Sequence, residues 1–324
     1  NIKIKNKNLS NDIKLNILKE ISRSNKISSK TKINKASINS KKIKKNDVFF
    51  AVQGKKRDGN IFAKEAIKKG ASLAIISKSQ IGPKKIKVKN TLKFLTKVSS
   101  ILRKNTKSKI VGITGSCGKT SLKELTGKAL KKISNTTYSP KSFNNKFGVP
   151  LSLFNLKIND DFGIFEIGMD KKGEIDYLSK IIKPDIGVIT NISYAHAKNF
   201  KDIKQIALAK SEIINNINNG GSLVLNADDQ FYNFHKKMGL EKKLNIYSFS
   251  MKKKKSSINL DFIKKEKSKY KVSINIHNNK KFFYINSKFE NNIKNLLAAV
   301  SIISILTDIK KLDSNIFYDY NTPN

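Results

Sequence analysis

The stretch that most constrains this chain is an apolar run that ends in a glycine turn and continues into Lys-Thr: Ile110-Val-Gly-Ile-Thr-Gly-Ser-Cys-Gly-Lys-Thr120. A buried strand is expected first, then a turn that uses the conformational freedom of glycine, then the start of a helix. This is the context a phosphate-binding loop requires. Backbone N–H groups and the positive end of the helix can surround phosphate oxygens, Lys119 adds a point charge, and the Thr120 hydroxyl can serve Mg²⁺. The usual pattern G-x-x-x-x-G-K-[ST] would put its first glycine where Ile113 stands, and the spacing here is Gly115-x-x-Gly118-Lys-Thr120. On these residues alone, an ordinary glycine turn between strand and helix remains the alternative. Cys117 reads as a small filler and not as a nucleophile, because no Cys/His pattern surrounds it.

The rest of the chain alternates strand and helix signals, which favours parallel pairing and an α/β class. The spacing predicts a small N-terminal α/β domain over residues 1–86, with a strand at 47–52, a helix at 60–69 closed by Gly70, and a strand at 73–76. Gly82-Pro83 and the lysine-rich residues 84–89 read as a connector, and Thr91 as the cap of a helix ending near Arg103. A larger P-loop central domain over 87–312 is predicted to hold a mostly parallel sheet flanked by helices. Its strands fall at 110–113, 163–167, 186–191 and 222–225, all continuous apolar runs suited to burial on both faces. Helices are expected at 121–132, 173–182, 203–217 and 291–306. Residues 270–277 and 281–285 alternate around Asn278-Asn279 and read as a peripheral hairpin. No internal repeat is evident.

Composition excludes some classes. With 324 residues, 38% hydrophobic and 28% charged, the chain is neither disordered nor collagen-like, and it exceeds what one core usually serves. Its 66 Lys+Arg against 24 Asp+Glu leave a net charge of +42. That charge would attract any polyanion. The lysines, however, travel with asparagine and isoleucine through every segment, so the excess reads as a global bias, and no nucleic-acid partner is expected. The single cysteine makes an internal disulfide impossible and suits a reducing compartment. No hydrophobic run approaches the ~18–20 residues of a membrane span. There is no apolar leader, although the first residue is Asn and not Met, and the expected location is the cytoplasm.

Three further residues carry possible chemistry. Glu166 interrupts an apolar strand, where a carboxylate is costly to bury unless a cation faces it, so it is either a Mg²⁺ ligand or a solvated edge residue. His196 follows the strand ending at Asn191, and open α/β sheets place ligands at the carboxyl ends of strands. Lys210, taken alone, is one more exposed ammonium.

Taken together, these strings resemble the Mur ligases, the ATP-dependent amide-forming family of peptidoglycan synthesis. The resemblance runs from about Ala36 to Asn324. It is carried by Asp47-Val-Phe-Phe-Ala-Val-Gln-Gly-Lys-Lys-Arg-Asp-Gly59, the loop Thr114 to Thr120, Asn144-Asn-Lys-Phe-Gly-Val-Pro-Leu151, Phe165-Glu-Ile-Gly-Met-Asp-Lys-Lys-Gly-Glu-Ile175, Asn226-Ala-Asp-Asp229 and Asn292-Ile-Lys-Asn-Leu-Leu-Ala-Ala299. The family's own loop also lacks the first glycine of the common pattern. The run after Glu166 points to the branch that joins D-alanyl-D-alanine to UDP-N-acetylmuramoyl-tripeptide.

The resemblance implies roles position by position. Gly115, Ser116, Cys117, Gly118, Lys119, Thr120 and Ser121, with Asn144, Asn145, Asn292 and Asn295, would bind ATP. Thr120 and Glu166 would hold one Mg²⁺, and His196 with a carbamylated Lys210 a second. Lys119, Lys210 and His196 would be catalytic. Ser40, Lys41, Gly54 and Asp58 in the first domain would contact the UDP-linked substrate. The chain departs from the family at Asn291, where His is common, and at Asn39-Ser-Lys41, where Asp-Ser-Arg is usual. A monomer is implied, and Tyr318 to Asn324, within residues 313–324, resembles a connector to a third domain, so the chain is expected to be a fragment. The alternatives are another amide ligase of the superfamily, such as MurE or folylpolyglutamate synthase, and, in a different class, a P-loop nucleic-acid-associated ATPase.

Overall fold

The computed structural model describes residues 9–24, 27–54, 57–78, 82–194 and 199–320. In chain order its elements are α1 (Leu9–Ser22), β1 (Ala36–Ser37), β2 (Val48–Phe50), α2 (Ala63–Lys68), β3 (Leu73–Ile76), β4 (Lys85–Lys87), α3 (Thr91–Lys104), β5 (Lys109–Thr114), α4 (Lys119–Lys131), β6 (Thr136–Tyr138) and α5 (Gly148–Phe154). There follow β7 (Phe162–Glu166), α6 (Glu174–Ile182), β8 (Ile186–Ile189), α7 (Ile203–Asn215), β9 (Ser222–Asn226), α8 (Tyr232–Glu241), β10 (Asn245–Ser250), β11 (Ile258–Glu266), β12 (Lys269–Ile276), β13 (Asn279–Ile285) and α9 (Glu290–Leu306). Among the described residues no helix is long and apolar enough to cross a membrane. The chain divides into two compact units, residues 1–107 with 146–159, and residues 108–145 with 160–324.

In the first unit the sheet has the order β1-β2-β3-β4, parallel throughout. Phe49, Phe50, Ala74 and Ile75 are fully buried, so the central strands are covered on both faces, as their unbroken apolar sequence requires. One cover is α2, whose Ala63 and Ala66 pack with Ile43, Ala51 and Ile76. The other comes from α5, where Phe154 meets the edge of Phe50 at 5.6 Å between ring centroids.

The boundary read from sequence fell after residue 86, whereas this unit retains α3. Phe94, Leu95, Val98 and Leu102 form its buried stripe, and it packs on α1 and α5. The Ser99 hydroxyl donates to the Pro150 carbonyl at 2.7 Å. Asn155 then clasps Ala36, accepting from its N–H at 2.7 Å and donating to its carbonyl at 3.1 Å. The cap of α3 is Asn90, whose side chain accepts from Lys93 N–H, and not Thr91. Thr91 instead donates its hydroxyl to the Ala51 carbonyl. The expected connector at 84–89 contains β4, paired with β3.

In the second unit the sheet runs β13-β12-β11-β10-β9-β8-β5-β7-β6. It is parallel from β6 to β11 and antiparallel across β11, β12 and β13. Alternation along β5 separates the two helical layers. Val111 and Ile113 enter a core with Leu122 and Leu125 of α4 and with Leu296, Leu297 and Val300 of α9. Gly112 points the other way, where a Cβ would meet Ile182 of α6 at 3.1 Å and Ile213 of α7 at 3.3 Å. The hairpin turn is centred on His277 and Asn278, both at positive φ, one residue earlier than the sequence suggested.

Candidate active site at the glycine turn

The chain leaves β5 toward β6 and β7 on one side of the sheet and later returns to β8 and β9 on the other. Such a reversal opens a crevice at the carboxyl ends of the strands. Three of those ends supply the site: the turn after β5, Glu166 at the end of β7, and residues 190–193 after β8.

Gly115 has φ +147° and Gly118 has φ +80°, where an L side chain is strained. A Cβ on Gly115 would lie 1.8 Å from Thr190 Oγ1. The strand-end segment thus presses directly on the turn, and hydrogen bonds fasten it there. Asn191 accepts from the Ser116 N–H through its carbonyl and from the Cys117 N–H through Oδ1, both at 2.9 Å. Thr190 donates its hydroxyl to the Cys117 carbonyl at 2.8 Å. Ser116 Oγ donates to the Ser193 carbonyl and accepts from its N–H. The amides of Ser116 and Cys117 are thereby committed to the protein. Amides left for an anion are those opening α4, whose N-cap is Gly118 and which has no side-chain cap.

Two ammonium groups converge on one carbonyl. Lys119 Nζ donates to Gly115 O at 2.8 Å and to Ser116 O at 3.1 Å. Lys210 Nζ donates to the same Gly115 O at 2.9 Å, from a position 2% exposed on α7. Burial lowers both pKa values; that of Lys210 falls to about 7, with the Lys119 charge adding to the desolvation. The expectation from residues alone, an exposed Lys210 ammonium, is therefore overturned: the period of α7 turns this lysine inward.

Glu166 is buried, 1% exposed, and is not a solvated edge residue. Its Oε2 accepts from the Thr120 hydroxyl at 2.8 Å and its Oε1 from the Asn144 amide at 2.7 Å. Lys123 Nζ lies 3.9 Å from Oε2. Sequence reading missed Lys123, Thr190 and Asn191. The signal for Lys123 was its place one turn after Lys119 and Thr120, on their side of the helix.

Asn295 of α9 touches the turn: a Cβ on Gly118 would sit 3.0 Å from its Oδ1. Asn292, one turn earlier, instead lines a cavity of about 20 Å³ with Leu125, Ser287, Phe317 and Tyr320. Asn145 is exposed beside Asn144, and Ser121 is half-buried in the first turn of α4. His196 lies outside the described residues.

The four candidate substrate contacts belong to the first unit. Ser40 is buried and donates to Glu65 at 2.8 Å. Lys41 is exposed, its N–H bonded to Asn39 Oδ1. Gly54 and Asp58 share one loop, closed by the Gly54 N–H on Arg57 O and by a bridge between Gln53 and Asp58. Lys78 at 2.7 Å and the amides of Asn60 hold the Asp58 carboxyl down at about 2.

The donor set at Glu166 fits Mg²⁺. One carboxylate and one hydroxyl converge, both hard oxygen donors, and Mg²⁺ commonly takes one or two carboxylates together with substrate phosphates. Among the described residues no three His, Cys, Asp or Glu side chains cluster, so a cation here would depend on a ligand's oxygens.

Comparison with known proteins identifies the family and the fold. The Mur ligase middle domain matches residues 113–303, and the Mur ligase family catalytic domain matches residues 32–104. A UDP-N-acetylmuramoyl-tripeptide--D-alanyl-D-alanine ligase of Buchnera aphidicola is 41% identical over 227 residues, 69% of this chain and 49% of that protein. One of the same description from Rickettsia prowazekii is 36% identical over 288 residues, 86% of this chain and 63% of that protein. The chain thus spans between about half and just under two thirds of the length of these relatives. Among solved structures, MurF from Acinetobacter baumannii has a TM-score of 0.81 at 24% identity, covering 95% of this chain and 68% of that one. MurF ligase from Thermotoga maritima in complex with ADP has a TM-score of 0.73 at 24% identity, covering 90% and 66%. The fold is therefore shared with those enzymes, and this chain belongs to the Mur ligase family.

Proposed function

We propose that this chain carries the ATP site and the UDP-substrate unit of a ligase that joins D-alanyl-D-alanine to UDP-N-acetylmuramoyl-tripeptide. The observation that carries this reading is the meeting of Thr120, Asn144 and Glu166 at the lip of a glycine turn that also gathers Lys119 and Lys210. Relatives described as ligases of this specificity, at 36–41% identity, support the choice of substrates.

The proposed chemistry follows from charge. A peptide carboxylate attacking the γ-phosphorus of ATP brings two anions together, so their repulsion must be offset. Lys119 would leave Gly115 O to meet the β- and γ-phosphates, while the opening amides of α4 bind their oxygens. Thr120 and Glu166 would hold Mg²⁺, which when bound supplies charge neutralisation at the phosphates. The acyl phosphate formed is then taken by the amine of the dipeptide, giving an amide, ADP and phosphate.

Lys210 has a further role in this reading. With its pKa at about 7, a large part of it is neutral at pH 7. Neutral amine plus CO₂ yields a carbamate, which would present an anion to a cation where an ammonium would repel it. With His196, that carbamate would serve a second Mg²⁺, apart from the one at Thr120 and Glu166. Ser40, Lys41, Gly54 and Asp58 would contact the UDP moiety, and the working location is the cytoplasm, with a monomer as the working form.

The test is phosphate release by the chain extended to the full length of its relatives, with muramoyl peptides and amines offered in turn. Release that requires both the tripeptide and D-alanyl-D-alanine is the expected result. Release driven equally by other amines, or by nucleic acid, would overturn the reading.

A further inference from the structure

Lys123 is a charged residue at the heart of the site that the proposed chemistry does not use. It stands four residues after Lys119 and three after Thr120, so the helix repeat turns it to the same side of α4 but one turn deeper. There it is fully buried. An isolated ammonium in such a place is very costly, so what surrounds it must hold it. Its Nζ donates to the Lys141 carbonyl and lies 3.3 Å from Glu124 Oε1 and 3.9 Å from Glu166 Oε2.

Those contacts join three pieces of chain. Lys141 belongs to the turn after β6 and has φ +44°, a conformation that costs a non-glycine residue energy and that its neighbours must hold in place. Three residues on, Asn144 donates its amide to Glu166 Oε1, and its carbonyl accepts from the Gly168 N–H at 2.8 Å. Lys123 thus fixes the turn that delivers Asn144 and also sits beside the carboxylate that Asn144 orients. The 3.9 Å separation is itself informative. It is too long for a hydrogen bond but short for an ion pair in a dry site. Charge compensation for Glu166 is therefore supplied without occupying the oxygen that Thr120 already shares.

We propose that Lys123 is a positioning residue for the cation of the nucleotide site. It keeps Glu166 and the Asn144 turn arranged to receive a divalent cation while contributing no ligand itself. This rests on the reading of Glu166 as a cation ligand. Groups that orient a metal's ligands typically cost about 10–100-fold in metal affinity when removed.

The test uses this chain with Mn²⁺ as the probe, its binding in the presence of ATP followed by electron paramagnetic resonance, and ATP binding without divalent cation followed by calorimetry. In Lys123→Met, Mn²⁺ affinity is expected to fall about 10–100-fold while cation-free ATP affinity stays within about threefold of the parent. Lys123→Arg, which keeps the charge, should recover part of the loss. Unchanged Mn²⁺ affinity in a folded Lys123→Met, or an equal fall in both affinities, overturns the proposal. If Lys123→Met does not fold, Lys123→Met/Glu166→Gln replaces it, because neither charge is then left alone. That double variant should match Glu166→Gln in both measurements, and a further fall in cation-free ATP binding would overturn the proposal. Glu166→Gln alone separates the two ideas: if it binds Mn²⁺ like the parent, the reading of Glu166 itself fails.

Discussion

The Thr120 hydroxyl donates to Glu166 Oε2 at 2.8 Å, tying the first turn of the helix after the glycine loop to the end of a strand 46 residues further along. In the proposed function this pair would hold the Mg²⁺ that accompanies ATP. Thr120→Val keeps the shape and removes the hydroxyl. It should weaken ATP binding about tenfold in the presence of Mg²⁺ and change cation-free binding little, as calorimetry would show. Equal losses under both conditions would mean that Thr120 serves only the packing of α4.

The press of Thr190 on Gly115 predicts a severe substitution. Gly115→Ala combines a Cβ 1.8 Å from Thr190 Oγ1 with φ +147°, and should destabilise the second unit by more than about 2 kcal/mol. Removing the obstruction in Gly115→Ala/Thr190→Ala should restore part of that in urea unfolding. The control is Gly220→Ala, with φ +71° and nothing within 4 Å of the new Cβ, where only about 1 kcal/mol of backbone strain is expected.

Burial of Lys210 makes stability depend on pH. Its native pKa, about 7, lies below its ordinary 10.5, so between these values the unfolded chain binds the extra proton. Stability from this residue therefore rises with pH across that window, and its cost is greatest at and below pH 7. Lys210→Met should be more stable than the parent by a few kcal/mol near pH 7, with the advantage shrinking toward pH 10. A constant difference across that range in thermal unfolding would show that the lysine is not desolvated. With ¹³C-bicarbonate, the parent should also show a carbamate resonance that Lys210→Met lacks.

In the first unit, Asn60 is 2% exposed, and its side chain ties together Asp58, Ser77 and Lys78. Its Oδ1 accepts from the N–H groups of Ser77 and Lys78, and its amide donates to Asp58 and the Ser77 hydroxyl. Asn60→Ala would strand two backbone donors and free the Asp58 loop, at a cost of about 2–4 kcal/mol. It should also return the Asp58 pKa toward the ordinary 3.8, which carboxylate NMR titration would read.

Much of this could be read along the chain because the determining interactions are local. A glycine that tolerates positive φ, an apolar run too regular to be exposed, and Lys-Thr at a helix start depend on neighbours a few residues away. They placed β5, β3, β8 and the glycine turn within a residue or two. β11 escaped notice because its outer part, Asp261-Phe-Ile-Lys-Lys-Glu266, shows no period-2 apolar pattern, is mostly exposed, and becomes a strand only by pairing with β12. The short α5 escaped because its burial comes from Phe50 and the Ser99 hydroxyl, far away in the sequence.

What the sequence determined by itself is therefore the α/β class, the glycine turn and some of the groups around it, Lys119, Thr120, Asn144 and Glu166 among them. Tertiary structure alone decided that Lys210 and Lys123 are buried among those groups, that Asn191 takes up two of the loop amides, and that α3 joins the first unit. The physical reason is that burial and long-range hydrogen bonds arise from chain segments brought together by the sheet order, and in a chain with 66 basic residues nothing local distinguishes a lysine destined for the interior from one left in water.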